Sequence, residues 1–236
     1  MSRNYKFHNS EGLYFVSFAV VDWLDVFTRN EYKDIALESL SYCQKNKGME
    51  IFAWCIMTNH LHLVFRSING LDPATLLGDF KRFTSKAIVK AIIENSKESR
   101  KEFLLEQFKK AAQKTSNVNK YQFWRHDNKP IELWSNEVIQ EKIKYIHYNP
   151  VEAGLVYFPE DYVYSSASDY AEGRAYRKQP VAVFSEGASR RWGVYLSNTP
   201  LPHDTLATLN LRFDFVEFYF ARERGFFNLP DCYLVY

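Results

Sequence analysis

The hydrophobic and polar positions of this chain follow two patterns: short apolar runs typical of strands, and longer segments with apolar residues at helical spacing. Runs rich in β-branched and aromatic residues, bounded by glycine or polar residues, predict strands. Four such runs lie at residues 13–21, 50–57, 60–65 and 121–125. Only Thr58 and Asn59 separate the second run from the third, which predicts a hairpin, and residues 131–134 are the partner or the continuation of the fourth.

Helical spacing predicts two helices between these strands. The first spans residues 31–47 and ends at Gly48, since glycine commonly follows a helix. In the second, Asp72 is the expected N-cap and Pro73 the first helical residue. Its apolar residues recur every three or four positions and predict the buried face, at Leu76, Phe80, Phe83, Ala87 and Ala91. Residues 95–120 are polar and charged, which predicts a frayed helix and a flexible connection.

The order of these elements predicts the fold class. Strand, helix, strand, strand, helix, strand is the βαββαβ arrangement of α+β, ferredoxin-like folds. We therefore expect one antiparallel sheet backed by helices on one face, with the other face free. Ser135 then caps a C-terminal helix that carries Tyr145 and that we expect Asn149-Pro150 to stop.

Composition narrows the class of protein. With 236 residues, of which 46% are hydrophobic, the chain can bury a sizeable core. Its polar start does not resemble a signal peptide and no apolar run is long enough to span a membrane, so we expect a cytoplasmic protein. The three cysteines form no CxxC pair, which argues against a disulfide framework or a zinc knuckle.

Positive charge is concentrated in one segment, although the net charge is only +2. From Asp79 to Lys120, eleven Lys or Arg stand against five Asp or Glu, an excess that suits a polyanion. Four of these cations lie on the second predicted helix and, with one in the fourth strand, form the predicted DNA-binding set: Lys81, Arg82, Lys86, Lys90 and Arg125. A solvated helical surface is the alternative interpretation.

The first candidate for chemistry is the pair His60 and His62. Alternate residues of a strand share a face, so both imidazoles point the same way and can bind one divalent ion. The alternative is a half-exposed polar face without a metal.

The second candidate is Tyr145, with Asn149 four residues later on the same face of its helix. An amide beside a phenol there can reach a metal held by the two histidines. There are three alternatives: half-buried packing of Tyr145 without a catalytic role, an N-cap role for Asn149, and Tyr148 as the nucleophile. His147 points to the far side of this helix, as a bystander or a phosphate contact.

Three motifs in this order resemble one known family. Residues 57–65 (MTNHLHLVF), residues 80–86 (FKRFTSK), and residues 145–156 (YIHYNPVEAGLV) followed by Tyr164-Ser-Ser166 are similar to the HUH-motif single-strand tyrosine transposases of the IS200-like superfamily. The more similar branch is the REP-associated one. The resemblance covers about residues 5–172, which predicts a nuclease domain at residues 1–172 and leaves residues 173–236 as a C-terminal extension of unknown role.

The resemblance implies a metal-dependent enzyme that cleaves and rejoins single-stranded DNA through a 5′-phosphotyrosine. His60, His62 and Asn149 would be the metal ligands, Tyr145 the nucleophile, and magnesium or manganese the ion, with no nucleotide cofactor. The expected partner is single-stranded bacterial DNA carrying a hairpin or palindromic repeat, a homodimer is one expected assembly, and no membrane partner is implied. The alternatives are a domesticated, inactive nucleic-acid-binding module and a small-molecule metalloenzyme.

Overall fold

A four-stranded antiparallel sheet is the centre of the structure, which is a computed structural model that describes residues 6–68, 70–114 and 120–171. The strands are β1 (Tyr14–Ala19), β2 (Met49–Ile56), β3 (His60–Ser67) and β4 (Ile131–Glu132). Their order in the sheet is β2-β3-β1-β4, with β2 and β3 joined as a hairpin. The predicted ferredoxin-like, α+β fold is therefore confirmed.

The predicted helices lie near their expected positions, and the described residues contain two further α-helices. They are α1 (Asn30–Asn46), α2 (Pro73–Glu94), α3 (Lys101–Gln113), α4 (Asn136–Glu152) and a short α5 (Ala167–Tyr170). The Asp72 carboxylate accepts hydrogen bonds from the backbone N–H groups of Ala74 and Thr75, as expected of an N-cap. α3 replaces the frayed segment that the polar composition predicted.

The main core lies between one face of the sheet and the helices α1, α2 and α3. Alternate residues of β1 and β3, such as Val16, Phe18 and Leu63, belong to this core. On α2 the buried face includes Leu77 and Thr84 as well as Leu76 and Phe80, while Phe83 is 63% exposed. The predicted stripe was therefore wrong for Phe83, because the helix turns a different side toward the sheet.

The opposite face of the sheet is covered by α4, and the prediction of a free face was wrong. Phe15 of β1 and His62 of β3 point away from the main core, and both contact Tyr145 of α4. The apolar residues Ile139, Ile143 and Ile146 of α4 are buried. The sheet is thus enclosed between two helical layers, and the histidines lie in the layer that contains α4.

The sheet edge that contains β4 is interrupted, which corrects the predicted strand at residues 121–125. Within that segment only Trp124 forms a bridge to β1, at Val20, and the regular pairing begins at Ile131–Glu132. Backbone hydrogen bonds from Ser17 to the Asn128 carbonyl and from Arg125 to the Ala19 carbonyl connect the two parts. The segment at residues 131–134 is therefore the continuation of the edge rather than a partner.

A short segment, residues 164–166, lies along the free edge of β2 and forms one bridge to it, between Ser165 and Cys55. Ile56 donates its backbone N–H to the Tyr164 carbonyl, and Ser166 donates to the Trp54 carbonyl. The Ser166 hydroxyl also accepts the Trp54 N–H at 3.0 Å. The Tyr164-Ser-Ser166 motif therefore protects an exposed strand edge and fixes the end of the layer that contains α4.

The predicted C-terminal extension, residues 173–236, lies outside the described residues, so the domain boundary at residue 172 stays a prediction. Across the described ranges, no helix combines the length and the apolar character needed to cross a membrane.

Candidate active site

Two imidazoles at the start of β3 form the centre of the site. The Nε2 atoms of His60 and His62 lie 3.0 Å apart. On the neighbouring strand β1 their partners in the register are Ala19 and Ser17, two small residues that leave room above the sheet. His62 is buried and His60 half-buried, so the site opens on the His60 side.

A chain of hydrogen bonds fixes the orientation of His60. The Asp25 carboxylate can only accept, so the Asn59 amide donates its Nδ2–H to Asp25 Oδ1 at 3.1 Å. The Asn59 Oδ1 atom then faces His60 Nδ1 at 2.6 Å, and this places the imidazole proton on Nδ1. The lone pair of His60 Nε2 consequently points into the site.

Both imidazoles are held in the neutral form. Burial lowers the pKa of His60 to about 4, although hydrogen bonding to Asn149 and the negative charge of Asp25 act in the opposite direction. The pKa of His62 lies well below its ordinary value, because burial and the neighbouring His60 both disfavour a positive charge. Neutral imidazole is the form that binds metals.

α4 brings Tyr145 onto this pair of histidines. The ring centroid of Tyr145 lies 5.3 Å from that of His62 and 5.9 Å from that of Phe15, which itself stacks on His62. The Lys142 ammonium, one helical turn earlier, lies 5.8 Å from the ring centroids of both Tyr145 and Phe15. Tyr148, the alternative nucleophile, is 38% exposed and its ring faces Lys144 instead.

Asn149 lies inside α4, which corrects two expectations. The helix continues through Asn149-Pro150 to Glu152, so Asn149 is not the N-cap of a following turn. Its Nδ2 donates to the Tyr145 carbonyl at 2.9 Å, four residues earlier on the same face. Hydrogen bonding to Asn149 acts to raise the pKa of both imidazoles, so its side-chain amide lies at the two rings.

The positions of the two imidazole Nε2 atoms fit a divalent metal ion. Two ligands at right angles around an octahedral ion, each about 2.1 Å from it, are about 3.0 Å apart, and this is the Nε2 to Nε2 separation of His60 and His62. No set of three His, Cys, Asp or Glu side chains suited to a metal occurs in the part of the chain that the structure describes. Asn149, whose side chain hydrogen-bonds at the two imidazoles, carries an amide oxygen of the kind that such ions accept as a ligand.

The loop between β1 and α1 completes the rim, and the sequence analysis did not identify it. Trp23 is half-buried, and its ring lies edge-on to His60 with the centroids 5.7 Å apart. The Asp25 carboxylate in the same loop orients the His60 imidazole through Asn59. The only signal in the sequence for Asn59 is its place next to His60; Trp23 and Asp25 had none, because the tertiary fold brings them to the histidines.

The five predicted DNA-binding residues do not form one surface. The Lys81 ammonium donates to the Arg125 carbonyl at 2.6 Å and to Asn128 Oδ1 at 2.5 Å, so it joins α2 to the sheet edge. Burial lowers the pKa of Lys81 to about 8. Arg82, Lys86 and Lys90 are exposed on α2, in the layer opposite the histidines, whereas Arg125 lies beside Trp23. The structure therefore separates Lys81 from the predicted stripe.

His147 is buried on the far side of α4, and the alternative of a phosphate contact was wrong. Its Nε2 lies 2.9 Å from the Ser166 hydroxyl, and its ring contacts Tyr170. Burial lowers the pKa of His147 to about 4. His147 therefore anchors α4 to the segment that borders β2.

The fold of this chain is shared with a protein of known structure. The solved structure of a REP-associated tyrosine transposase bound to a REP hairpin has this fold, with a TM-score of 0.53 and 14% sequence identity; the match covers 78% of this chain and 100% of that one. No curated protein sequence matches the chain.

A sequence family matches the part of the chain that carries α1, the hairpin of β2 and β3, α2 and α3. The family model described as "Transposase IS200 like" matches residues 22–126, which include both histidines. These residues are thus similar to the IS200-like transposases, which confirms the resemblance inferred from the motifs. Tyr145 and Asn149 lie beyond the matched residues, so their place in the site rests on the geometry described above.

Proposed function

We propose that this protein is a transposase of the REP-associated branch that cleaves and rejoins single-stranded DNA next to a hairpin, through a covalent bond to Tyr145. The observation that carries the proposal is the convergence of His62, Tyr145 and Asn149, which come from β3 and α4, on one small volume. An inactive binding module has no need for this convergence.

Tyr145 is the proposed nucleophile. Its phenolic oxygen forms a bond to the scissile phosphorus as the bond from phosphorus to the 3′ oxygen breaks. The phenol proton passes to water, the departing 3′ oxygen takes up a proton, and the 5′ phosphate stays on Tyr145. Because the phosphoester bond is conserved, attack by a 3′ hydroxyl on this intermediate rejoins DNA and releases the tyrosine without a nucleoside triphosphate.

His60, His62 and Asn149 are the proposed ligands of a magnesium or manganese ion. Such an ion, when bound, polarises the phosphate and stabilises negative charge on its oxygens. The protein orients the ligands: Asp25 and Asn59 hold His60 with Nε2 toward the site, and Asn149 is held by the Tyr145 carbonyl. The ammonium of Lys142 supplies positive charge on the Tyr145 face.

The substrate assignment rests on the fold and on the accessible side of the site. The structural relative was solved with a REP hairpin, and the histidine face opens next to His60, Trp23 and Arg125. An aromatic ring and a guanidinium at this opening suit an unpaired, negatively charged strand.

The test is to incubate the full chain with single-stranded hairpin oligonucleotides and magnesium or manganese, and to look for a covalent adduct on a denaturing gel. We expect an adduct with the wild type and none with Tyr145→Phe. Tyr148→Phe is the matched control and should still form the adduct.

An adduct that persists in Tyr145→Phe would remove the assigned nucleophile. Binding without an adduct under either metal would instead support the inactive nucleic-acid-binding module.

A further inference from the structure

Trp23 occupies an unusual position for a large aromatic residue. It belongs to neither hydrophobic layer of the sheet and remains half-buried at the rim of the site. Its φ is +54°, and that of Asp22 before it is +51°. Residues with a side chain rarely adopt this left-handed conformation, and bulky ones least of all.

The surrounding structure holds the loop in this conformation. The Trp23 N–H donates to the Val20 carbonyl at 3.1 Å, and the Leu24 N–H to the Val21 carbonyl at 3.2 Å. The loop is also attached to the turn before β3, since Phe27 donates its N–H to the Thr58 carbonyl at 2.8 Å. The indole ring is therefore fixed relative to His60, the half-exposed histidine of the pair.

Positive charge lies directly beside the ring. The Arg125 guanidinium is 5.4 Å from the Trp23 ring centroid, within the range of a cation–π contact. Asp127 pairs with this guanidinium at 3.2 Å, which holds it next to the indole. A rigid aromatic ring with a neighbouring guanidinium is the combination with which proteins bind unpaired bases and the phosphates that follow them.

We propose that Trp23, together with Arg125, binds one unpaired nucleobase of the substrate strand, next to the phosphate that is cleaved. The base stacks on the indole, and the guanidinium contacts the phosphate chain. The inference rests on the proposed function and adds to it a site that selects a flexible, unpaired nucleotide at the cleavage position, because a base within a duplex has no free face to offer the ring.

The experiment measures how much each base contributes to binding. The cleaved phosphate is first located from the fragment that the wild type releases. Oligonucleotides that lack one base at each of the three positions on either side are then titrated against Tyr145→Phe, which binds without cutting. Fluorescence anisotropy of a labelled strand gives the affinity.

We expect removal of one base, directly next to the cleaved phosphate, to weaken binding to Tyr145→Phe by roughly 5- to 150-fold, the range of base stacking on an aromatic ring. In Tyr145→Phe with Trp23→Gly, the intact oligonucleotide binds about as weakly as the abasic one, and removal of that base has less than about a twofold further effect. Glycine tolerates the positive φ, so this variant removes the ring without backbone strain.

Two further variants make the result specific. Trp134, 81% exposed, is a matched control, and Trp134→Ala should leave the effect of every missing base unchanged. Trp23→Phe keeps a ring and should keep part of the effect.

If Trp23→Gly leaves the effect of every missing base unchanged while the wild type still forms its adduct, the Trp23 site is wrong and the proposed function stands. A wild type that forms no adduct with any oligonucleotide overturns the proposed function, and the Trp23 site with it.

Discussion

At the scale of single residues, the site depends on side chains that orient others. Asn59 connects the Asp25 carboxylate to His60 Nδ1 and so directs Nε2 toward the position of the proposed metal. Partners of this kind fix the tautomer and the ring orientation of a ligating histidine. His62 differs, since its Nδ1 is buried and has no hydrogen-bond partner among the described residues.

Removing the Asp25 carboxylate should therefore weaken metal binding. We expect Asp25→Ala to lower the affinity for manganese by about 10- to 100-fold, the usual effect of losing such a partner. Isothermal titration calorimetry measures this directly. Asp22→Asn is the matched control: it removes a negative charge from the same loop, and asparagine tolerates the positive φ at this position. Equal losses in both variants would mean that net charge, not orientation of His60, is responsible.

Tyr145, the proposed nucleophile, also has a charged neighbour. The Lys142 ammonium lies 5.8 Å from the Tyr145 ring centroid, one turn earlier on α4. A positive charge here favours the phenolate and the approaching phosphate, both of which are negative. We expect Lys142→Met to slow adduct formation about tenfold, which corresponds to about 1.4 kcal/mol of transition-state stabilisation.

The control for Lys142 lies on the same helix. Lys144 faces Tyr148 rather than Tyr145, and Lys144→Met should keep the wild-type rate of adduct formation in single-turnover experiments. If both variants react at the wild-type rate, Lys142 has no part in the chemistry.

At the scale of elements, the position of α4 decides whether the site exists. Its apolar face packs on the sheet, and its end is fixed by the hydrogen bond between His147 and Ser166, whose hydroxyl also accepts the Trp54 N–H. One serine therefore links the tyrosine-bearing helix to β2. Loss of this link would leave Tyr145 on a helix free to shift relative to the histidines.

The buried His147 makes the stability of this layer dependent on pH. Burial lowers its pKa to about 4, against 6.5 for an exposed imidazole. The unfolded chain therefore binds the proton more tightly, and stability that is present above pH 6.5 is lost as the pH falls toward 4. The loss attributable to this residue is at most about 3 kcal/mol.

Denaturant unfolding of the metal-free protein at several pH values tests this effect. His147→Gln should have a flatter dependence between pH 6.5 and pH 4 than the wild type. His8→Gln changes an exposed histidine and should leave the dependence as it is. Identical pH profiles for His147→Gln and the wild type would show that burial of His147 does not control acid stability.

At the scale of the whole molecule, the two faces of the sheet carry different groups. One carries the histidines, Trp23 and α4, and the other carries the main core and the exposed cations of α2. The α2 cations cannot contact a phosphate at the proposed histidine site, because the sheet lies between them. If they bind DNA, they contact a different part of the same substrate, such as the hairpin.

Binding measured at several salt concentrations separates the two surfaces. Changing Arg82, Lys86 and Lys90 together to Gln should weaken hairpin binding and reduce the slope of log affinity against log salt by about 2 to 3. The position of cleavage should not change. Lys109→Gln with Lys110→Gln, on the exposed side of α3, is the control and should keep the wild-type slope. An unchanged slope in the triple variant would mean that these three cations do not bind DNA and form only a solvated surface.

The sequence by itself determined β1, β2 and β3, the bounds of α1, the start of α2, the shared face of His60 and His62 and the shared face of Tyr145 and Asn149. These features depend on local periodicity and capping, which a few neighbouring residues specify. It misjudged Phe83, the edge at residues 121–125 and the end of α4, where packing against the sheet overrides local preference.

Only the tertiary structure decided that α4 covers the histidine face and that the Lys81 ammonium hydrogen-bonds to the sheet edge. It also decided that Trp23 lies against His60 and that Asp25 is linked to His60 through Asn59. Such contacts join residues far apart in the chain, and no local pattern records them, because they form only when two layers pack on opposite sides of one sheet.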